Sequence, residues 1–270
     1  LEAPLHSDFI SPGALKTEDE HRRDICAVGR WIHERFYVAS TDGNISVRLG
    51  PQRILTSPTG ISKGMMSPED MVITDLDGKK ISGQRNPSSE MPMHALIYRL
   101  RPDVNAICHA HPPTATAYAA AGLPLNRAIL AELVVTLGSI PVAPYGTPGT
   151  SELTRSLEPL VEHHDAILLA NHGVVTYGPD LLTAFFRMDT TEHFARVALA
   201  TELLGRQVLL SGDDVAKLLA IRARYVAQTS AAPGTPSLVT SGSDPERITL
   251  TRAELDALIE EAIQKDRSRR

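Results

Sequence analysis

The chain has 270 residues, 42% of them hydrophobic and 22% charged, the proportions of an ordinary globular protein long enough to bury a substantial core. A formal net charge of -5 argues against a nucleic-acid surface, and no apolar run approaches the length of a membrane span. Two cysteines, Cys26 and Cys108, make no disulfide framework, and with no signal-like start the expected setting is cytoplasmic.

Residues 1–15 carry two prolines and no sustained period, so a flexible arm is expected there. From Thr17 the apolar positions Ile25, Val28, Ile32 and Phe36 recur at helical spacing. Short strand patterns follow in "NISVRL", "RILTS" and "MVITDLDG", with Asp77-Gly78 as a hairpin signal. The run "NPSSEMPMHALIYRLRP" predicts a helix capped by Ser88 or Ser89, with Pro92 in its first turn and an end before Pro102. "NAICHAH" returns to strand. "SIPVAPY" and "AILLANHGVVTYG" read as buried strands, the second broken at Asn171-His172-Gly173, and a long helix runs from Asp180 to Leu204.

This alternation, with several strands joined by tight turns, predicts an α/β body over 16–227: a mixed sheet with helices on its faces. Residues 228–246 are rich in Pro, Gly, Ser and Thr and read as a linker. Over 247–270 a capping box, Thr251 to Glu254, precedes an apolar stripe of Leu255, Leu258, Ile259, Ala262 and Ile263, which predicts an amphipathic helix.

The chemistry-bearing residues gather in a few segments. On a strand, His109 and His111 share one face while Cys108 points to the other. The two histidines are either packing residues or two ligands of a metal, and Cys108 reads as a small buried hydrophobe. His172, at the break in its strand pair, is a turn residue or a third ligand. Three neutral imidazoles with one open position would make a Lewis-acid site. Glu90 is a helix-dipole acid or a general base, and His94, one turn on, is a packing or supporting residue rather than a fourth ligand. Ser88 and Ser89 at a helix start, with the turns "DGNIS" and "SPTGISKG", suggest a phosphate cradle.

The segments "GNISVR", "TSPTGISK", "SSEMPMHALIYRLRPDVNAICHAHPPTATA", "IPVAPYGTPGTSEL" and "ILLANHG" resemble, in family order over roughly residues 20–225, the class II aldolase/adducin family, most closely its L-fuculose-1-phosphate aldolase branch. The resemblance implies a three-layer α/β/α fold with a central mixed, largely antiparallel sheet. It implies one divalent metal per subunit, zinc-type, held by His109, His111 and His172, with Glu90 as acid/base and an additional ligand. Asn44, Thr59, Gly60, Ser88 and Ser89 match its phosphate binders. Family enzymes cleave a ketose 1-phosphate to dihydroxyacetone phosphate and an aldehyde, lactaldehyde for a 6-deoxy sugar, and form homotetramers with sites at subunit boundaries.

Two positions depart from the pattern. The family's proton-donating tyrosine falls near Leu130, leaving Tyr145 and Tyr177 as candidate substitutes, and Pro148 stands where an aromatic residue is usual. The resemblance leaves a sugar-phosphate 4-epimerase, a methylthioribulose-1-phosphate aldolase or dehydratase, a metal-dependent hydroxyaryl decarboxylase and a non-enzymatic adducin-like module as alternatives. Glu90, where the epimerase carries Asp, favours cleavage; the serine pair tells against the hydroxyaryl decarboxylase; the intact histidines tell against the adducin-like module. The tail resembles the peptides that recruit enzymes into bacterial microcompartments through a shell protein, which would place the enzyme inside such a compartment.

Overall fold

The computed structural model describes residues 16–226 and 237–241. Helix α1 (Glu18–Glu34) opens on a reciprocal cap in which Thr17 Oγ1 accepts from the Glu20 N–H and the Glu20 carboxylate accepts from the Thr17 N–H. Ile25, Val28 and Ile32 form its buried face, but Phe36 does not join them. The helix ends first: Phe36 takes a left-handed backbone at φ 60°, and its ring is 80% exposed.

Strands β1 (Asn44–Gly50), β2 (Arg53–Thr56), β3 (Val72–Thr74) and β4 (Lys80–Ser82) form an antiparallel meander. The turn before β4 is built by the Asp75 carboxylate, which accepts from the backbone N–H groups of Asp77 and Lys79. Then come α2 (Met91–Leu100), β5 (Ala106–Ala110), α3 (Pro113–Ala121), α4 (Ala131–Thr136), β6 (Val142–Ala143), α5 (Ser151–Val161), β7 (Ala166–Leu169), β8 (Gly173–Gly178), α6 (Leu181–Leu203) and α7 (Gly212–Val226). The eight strands make one sheet in the order β4-β3-β2-β1-β5-β8-β7-β6, and only the β6–β7 pair is parallel.

An apolar core covers each face of the sheet. Ala106, Cys108 and Ala110 join α1, α3 and α6 on one face, whereas Ile107 joins α2 and α5 on the other. The period-2 alternation of β5 therefore sorts its residues between the two cores. This is the expected three-layer α/β/α fold. Cys108 is fully buried in the first core, and burial pushes its thiol up to about 12.

At two points the structure differs from the sequence reading, and at two it adds to it. Glu90, not Ser88 or Ser89, occupies the N-cap of α2, while Ser88 Oγ accepts from the Glu90 N–H at 3.2 Å. "SIPVAPY" yields only a two-residue strand, because Pro141 and Pro144 on either side have no N–H for a ladder. Helices α3, α4, α5 and α7 were not anticipated. Within the stretch read as linker, 237–241 dock on the body: Val239 N donates to Asn126 O and Ala128 N donates to Val239 O, each at 2.9 Å. Leu238 packs beside Ala128, Val134 and Val215. The arm over 1–15, the remainder of the linker and the helix over 247–270 lie outside the described residues.

Candidate active site and metal centre

His109 shares the α2-facing side of β5 with Ile107, and the β1–β5 register sets Asn44 directly across from it. His111 lies one residue beyond the strand, where its N–H donates to Tyr37 O at 2.7 Å. His172 comes from the β7–β8 turn, which closes because Asn171 accepts a left-handed backbone at φ 55°. Gly173 lets this turn approach: a Cβ there would lie 2.7 Å from Ala110 O and press into the His111 ring.

One ring nitrogen from each of the three histidines lies within 4.8 Å of the others, the one group among the described residues that could hold a metal ion by its chemistry and spacing. His109 Nδ1 donates to Val174 O at 2.9 Å, since a carbonyl only accepts, and this fixes the ring so that Nε2 points inward. Nε2 of His111 lies 3.2 Å from Nε2 of His109. Glu90 closes the set, Oε2 being 3.2 Å from His109 Nε2 and Oε1 3.2 Å from His172 Nε2.

A metal fits these residues. An ion with bonds of about 2.0–2.1 Å would hold neighbouring ligand atoms about 3.3 Å apart, close to the 3.2 Å between His109 Nε2 and His111 Nε2. Glu90 Oε1, buried, has no hydrogen-bond partner to satisfy it otherwise. Burial, then repulsion from His109, lowers His172 to about 4; burial, then His109 and His172, lowers His111 to about 3. Both are therefore neutral, as ligands must be. Burial works to raise Glu90, but the His109 and His172 rings and the Asn44 amide outweigh it and hold the carboxyl below the usual range. Burial likewise opposes charge on His109, and Glu90 overcomes it, raising that imidazole.

The expected cradle converges on the same carboxylate. Asn44 Nδ2 donates to Glu90 Oε2 at 2.7 Å and to Ser88 Oγ at 3.1 Å. A Pro58–Pro87 bridge and the Thr59 N–H, donating to Asn86 O at 3.0 Å, bring the Thr59–Gly60 turn beside the serines. Thr59, Gly60 and Ser89 are exposed, and Ser88 is half-buried. His94 is completely buried, with Nε2 on Asn44 Oδ1 at 2.5 Å and Nδ1 on Ser46 Oγ at 2.6 Å.

Several contributors were missed at the level of sequence. Lys63 is buried, and its Nζ donates to Thr41 O and Ile61 O, both at 2.9 Å, tying the two cradle turns together. Burial lowers its pKa to about 8. Asp42 faces His111 Nδ1 at 3.6 Å, and Ser46 and Tyr98 continue the chain behind His94. Asp42 and Ser46 both stand in "DGNIS", and Tyr98 follows His94 at the i+4 spacing of one helix face. Tyr177 is removed as a proton-donor candidate: it is buried in the α2/α5 core with its hydroxyl donating to Val161 O and His164 O. Tyr145 is 59% exposed, Pro148 is exposed, and Leu130 is the N-cap of α4.

Residues 23–199 match the model of the class II aldolase and adducin N-terminal domain. The chain belongs to the class II aldolase and adducin family. It is 35% identical over 202 residues to 5-deoxy-D-ribulose 1-phosphate aldolase of Bacillus thuringiensis serovar kurstaki, covering 74% of this chain and 93% of that one. It is 36% identical over 202 residues to 3-oxo-tetronate 4-phosphate decarboxylase of Haemophilus influenzae, covering 73% and 94%. The solved structure of an L-fuculose 1-phosphate aldolase superposes with a TM-score of 0.69 at 30% identity, covering 80% of this chain and 98% of that one. Family and relatives make the chain a class II, metal-dependent lyase. No helix among the described residues is long and apolar enough to cross a membrane.

Proposed function

We propose that the protein is an aldolase that cleaves a ketose 1-phosphate, L-fuculose 1-phosphate or a related deoxyketose 1-phosphate, to dihydroxyacetone phosphate and an aldehyde such as lactaldehyde. The supporting observation is the Asn44 amide, which contacts both Ser88 of the cradle and Glu90 of the histidine set. A phosphate held at the first and a ketone oxygen at the second belong to a molecule whose carbonyl is one carbon from its phosphate ester.

His109, His111, His172 and Glu90 would hold the divalent ion, zinc by its nitrogen-rich set. When bound, the ion supplies electrophilic stabilisation of negative charge on the substrate oxygens. Asn44, Thr59, Gly60, Ser88 and Ser89 orient the phosphate. Cleavage breaks C3–C4: the C4 hydroxyl loses its proton, C4 leaves as the aldehyde carbon, and the bonding pair passes into an enediolate across C2 and C3. Protonation at C3 completes the ketone phosphate. The balance thus moves one proton from the C4 oxygen to C3, and Glu90, ionised and nearly buried, is the carboxylate placed to carry it.

A second reading rests on the decarboxylase relative. In 3-oxo-tetronate 4-phosphate the ketone is also one carbon from the phosphate, so the cradle that disfavours a hydroxyaryl decarboxylase does not disfavour this substrate. Loss of carbon dioxide would leave the same enediolate. The two readings differ in their co-product. Incubating metallated protein with ketose 1-phosphates and, separately, with the 3-oxo acid phosphate distinguishes them: the aldolase reading expects aldehyde from the former and is overturned by carbon dioxide from the latter alone.

The proposal extends to a homotetramer, and to recruitment by a microcompartment shell protein through residues 247–270, which rests on the amphipathic sequence alone. A reporter carrying residues 246–270 should bind shell protein; a reporter that binds none contradicts the recruitment.

A further inference from the structure

Helix α2 and strand β1 meet along a line of buried polar side chains, of which the metal and acid–base chemistry uses one end. Glu90, His94 and Tyr98 repeat every fourth residue on α2, and Asn44 and Ser46 every second residue on β1, so both sets face the seam between the elements. Their contacts run Tyr98 OH to Ser46 Oγ at 2.9 Å, Ser46 Oγ to His94 Nδ1 at 2.6 Å, His94 Nε2 to Asn44 Oδ1 at 2.5 Å and Asn44 Nδ2 to Glu90 Oε2 at 2.7 Å.

Valence gives this chain one direction. The Glu90 carboxylate only accepts, so the Asn44 NH2 group must face it and Asn44 Oδ1 must face His94. His94 Nε2 then carries the proton, and its Nδ1 accepts from the Ser46 hydroxyl. Ser46 Oγ in turn accepts from Tyr98. Burial, then the nearby His109, lowers His94 to about 3, so the ring is neutral and holds a single tautomer. With the Ser46 hydroxyl gone, the opposite tautomer becomes available. The Asn44 amide would then be held in its orientation by Glu90 alone, without the fixed His94 donor behind it.

We propose that His94, Ser46 and Tyr98 are positioning residues whose directed hydrogen-bond chain fixes the Asn44 amide and thereby holds the Glu90 carboxylate against His109 and His172. This rests on the reading of the three histidines with Glu90 as the metal centre. Partners of this kind typically account for roughly 10–100-fold in metal affinity or activity.

The test uses the full chain and its Ser46→Ala, Tyr98→Phe, His94→Asn and His94→Gln variants. Zinc affinity is measured by chelator competition, the ligand field by the visible spectrum of the cobalt-loaded protein, and folding by the melting temperature without metal. Ser46→Ala and His94→Asn are expected to weaken zinc roughly tenfold or more and to shift the cobalt bands. His94→Gln, whose side-chain amide reaches the Nε2 position and can donate to Asn44 Oδ1, should recover most of that loss. Tyr98→Phe removes only the terminal hydroxyl and should give a smaller shift in the same direction; it also serves if Ser46→Ala fails to fold. Folded variants with wild-type zinc affinity and unchanged cobalt spectra overturn the proposal, as do equal losses in the Asn and Gln variants. If the wild-type chain itself takes up no zinc, the metal-centre reading fails and the relay with it.

Discussion

Nε2 of His109 and Nε2 of His111 stand 3.2 Å apart at the heart of the site. Two imidazole lone pairs at that distance repel, so a proton or a cation has to lie between them. Burial opposes charge on His109, and Glu90, 3.2 Å away, outweighs it and raises that imidazole, while burial lowers His111 to about 3 and His172 to about 4. The geometry is that of a candidate cation site.

His172 is the proposed ligand most separate in sequence and carries the sharpest prediction. His172→Ala should weaken divalent-metal affinity by more than the roughly 10–100-fold typical of outer partners. Metal analysis after dialysis reads this, and a variant retaining wild-type metal content would remove His172 from the ligand set.

Glu90→Gln keeps the shape of the N-cap residue but cannot carry a proton. The rate of carbon–carbon cleavage should fall by about 10²–10⁴ while the three histidines still retain metal. Parallel measurement of kcat and metal content checks this; a variant with near wild-type kcat would end the acid–base role.

The turn bearing His172 leaves no room beside His111. Gly173→Ala would drive a methyl group into that ring and against Ala110 O, 2.7 Å from the ideal Cβ position. It should lower both metal affinity and melting temperature, whereas Asn171→Gly, at a left-handed position, should leave both nearly unchanged. Asn171→Val should cost about 1–2 kcal/mol of stability in denaturant unfolding.

His94 supplies a pH signature. Its folded pKa of about 3 lies below the ordinary 6.5, so the unfolded chain takes up a proton that the folded chain refuses. The resulting stability is fully present above 6.5 and is lost as pH falls toward 3. Between about pH 7 and about pH 5 the loss from this residue is about 2 kcal/mol, at 1.36 kcal/mol per pKa unit. The stability difference between the metal-free wild type and His94→Gln should move against the wild type by that amount. A difference constant with pH would mean that His94 titrates in the folded protein as it does in the unfolded chain.

Local periodicity made part of this site legible. Alternation along "AICHAH" separated Cys108 from the histidines, and the spacing of Glu90 and His94 put them on one helix face. What remained hidden depends on long-range register. Nothing local indicates that Asn44 pairs across from His109, or that one amide joins the phosphate cradle to Glu90. Helix α3 carries no periodic signal because "PTATAYAAA" is built of small residues with no contrasting polar face. The composition of 228–246 likewise averaged away Leu238 and Val239, the two apolar side chains of the docked 237–241 segment.

The most direct test of the account is a metal titration of the stripped protein, with aldehyde release from a ketose 1-phosphate as the readout. Activity should rise linearly to one divalent ion per chain and then stop, and His172→Ala should give almost none at the same loading. Full aldehyde release from the stripped protein, or activity independent of added metal, would contradict it.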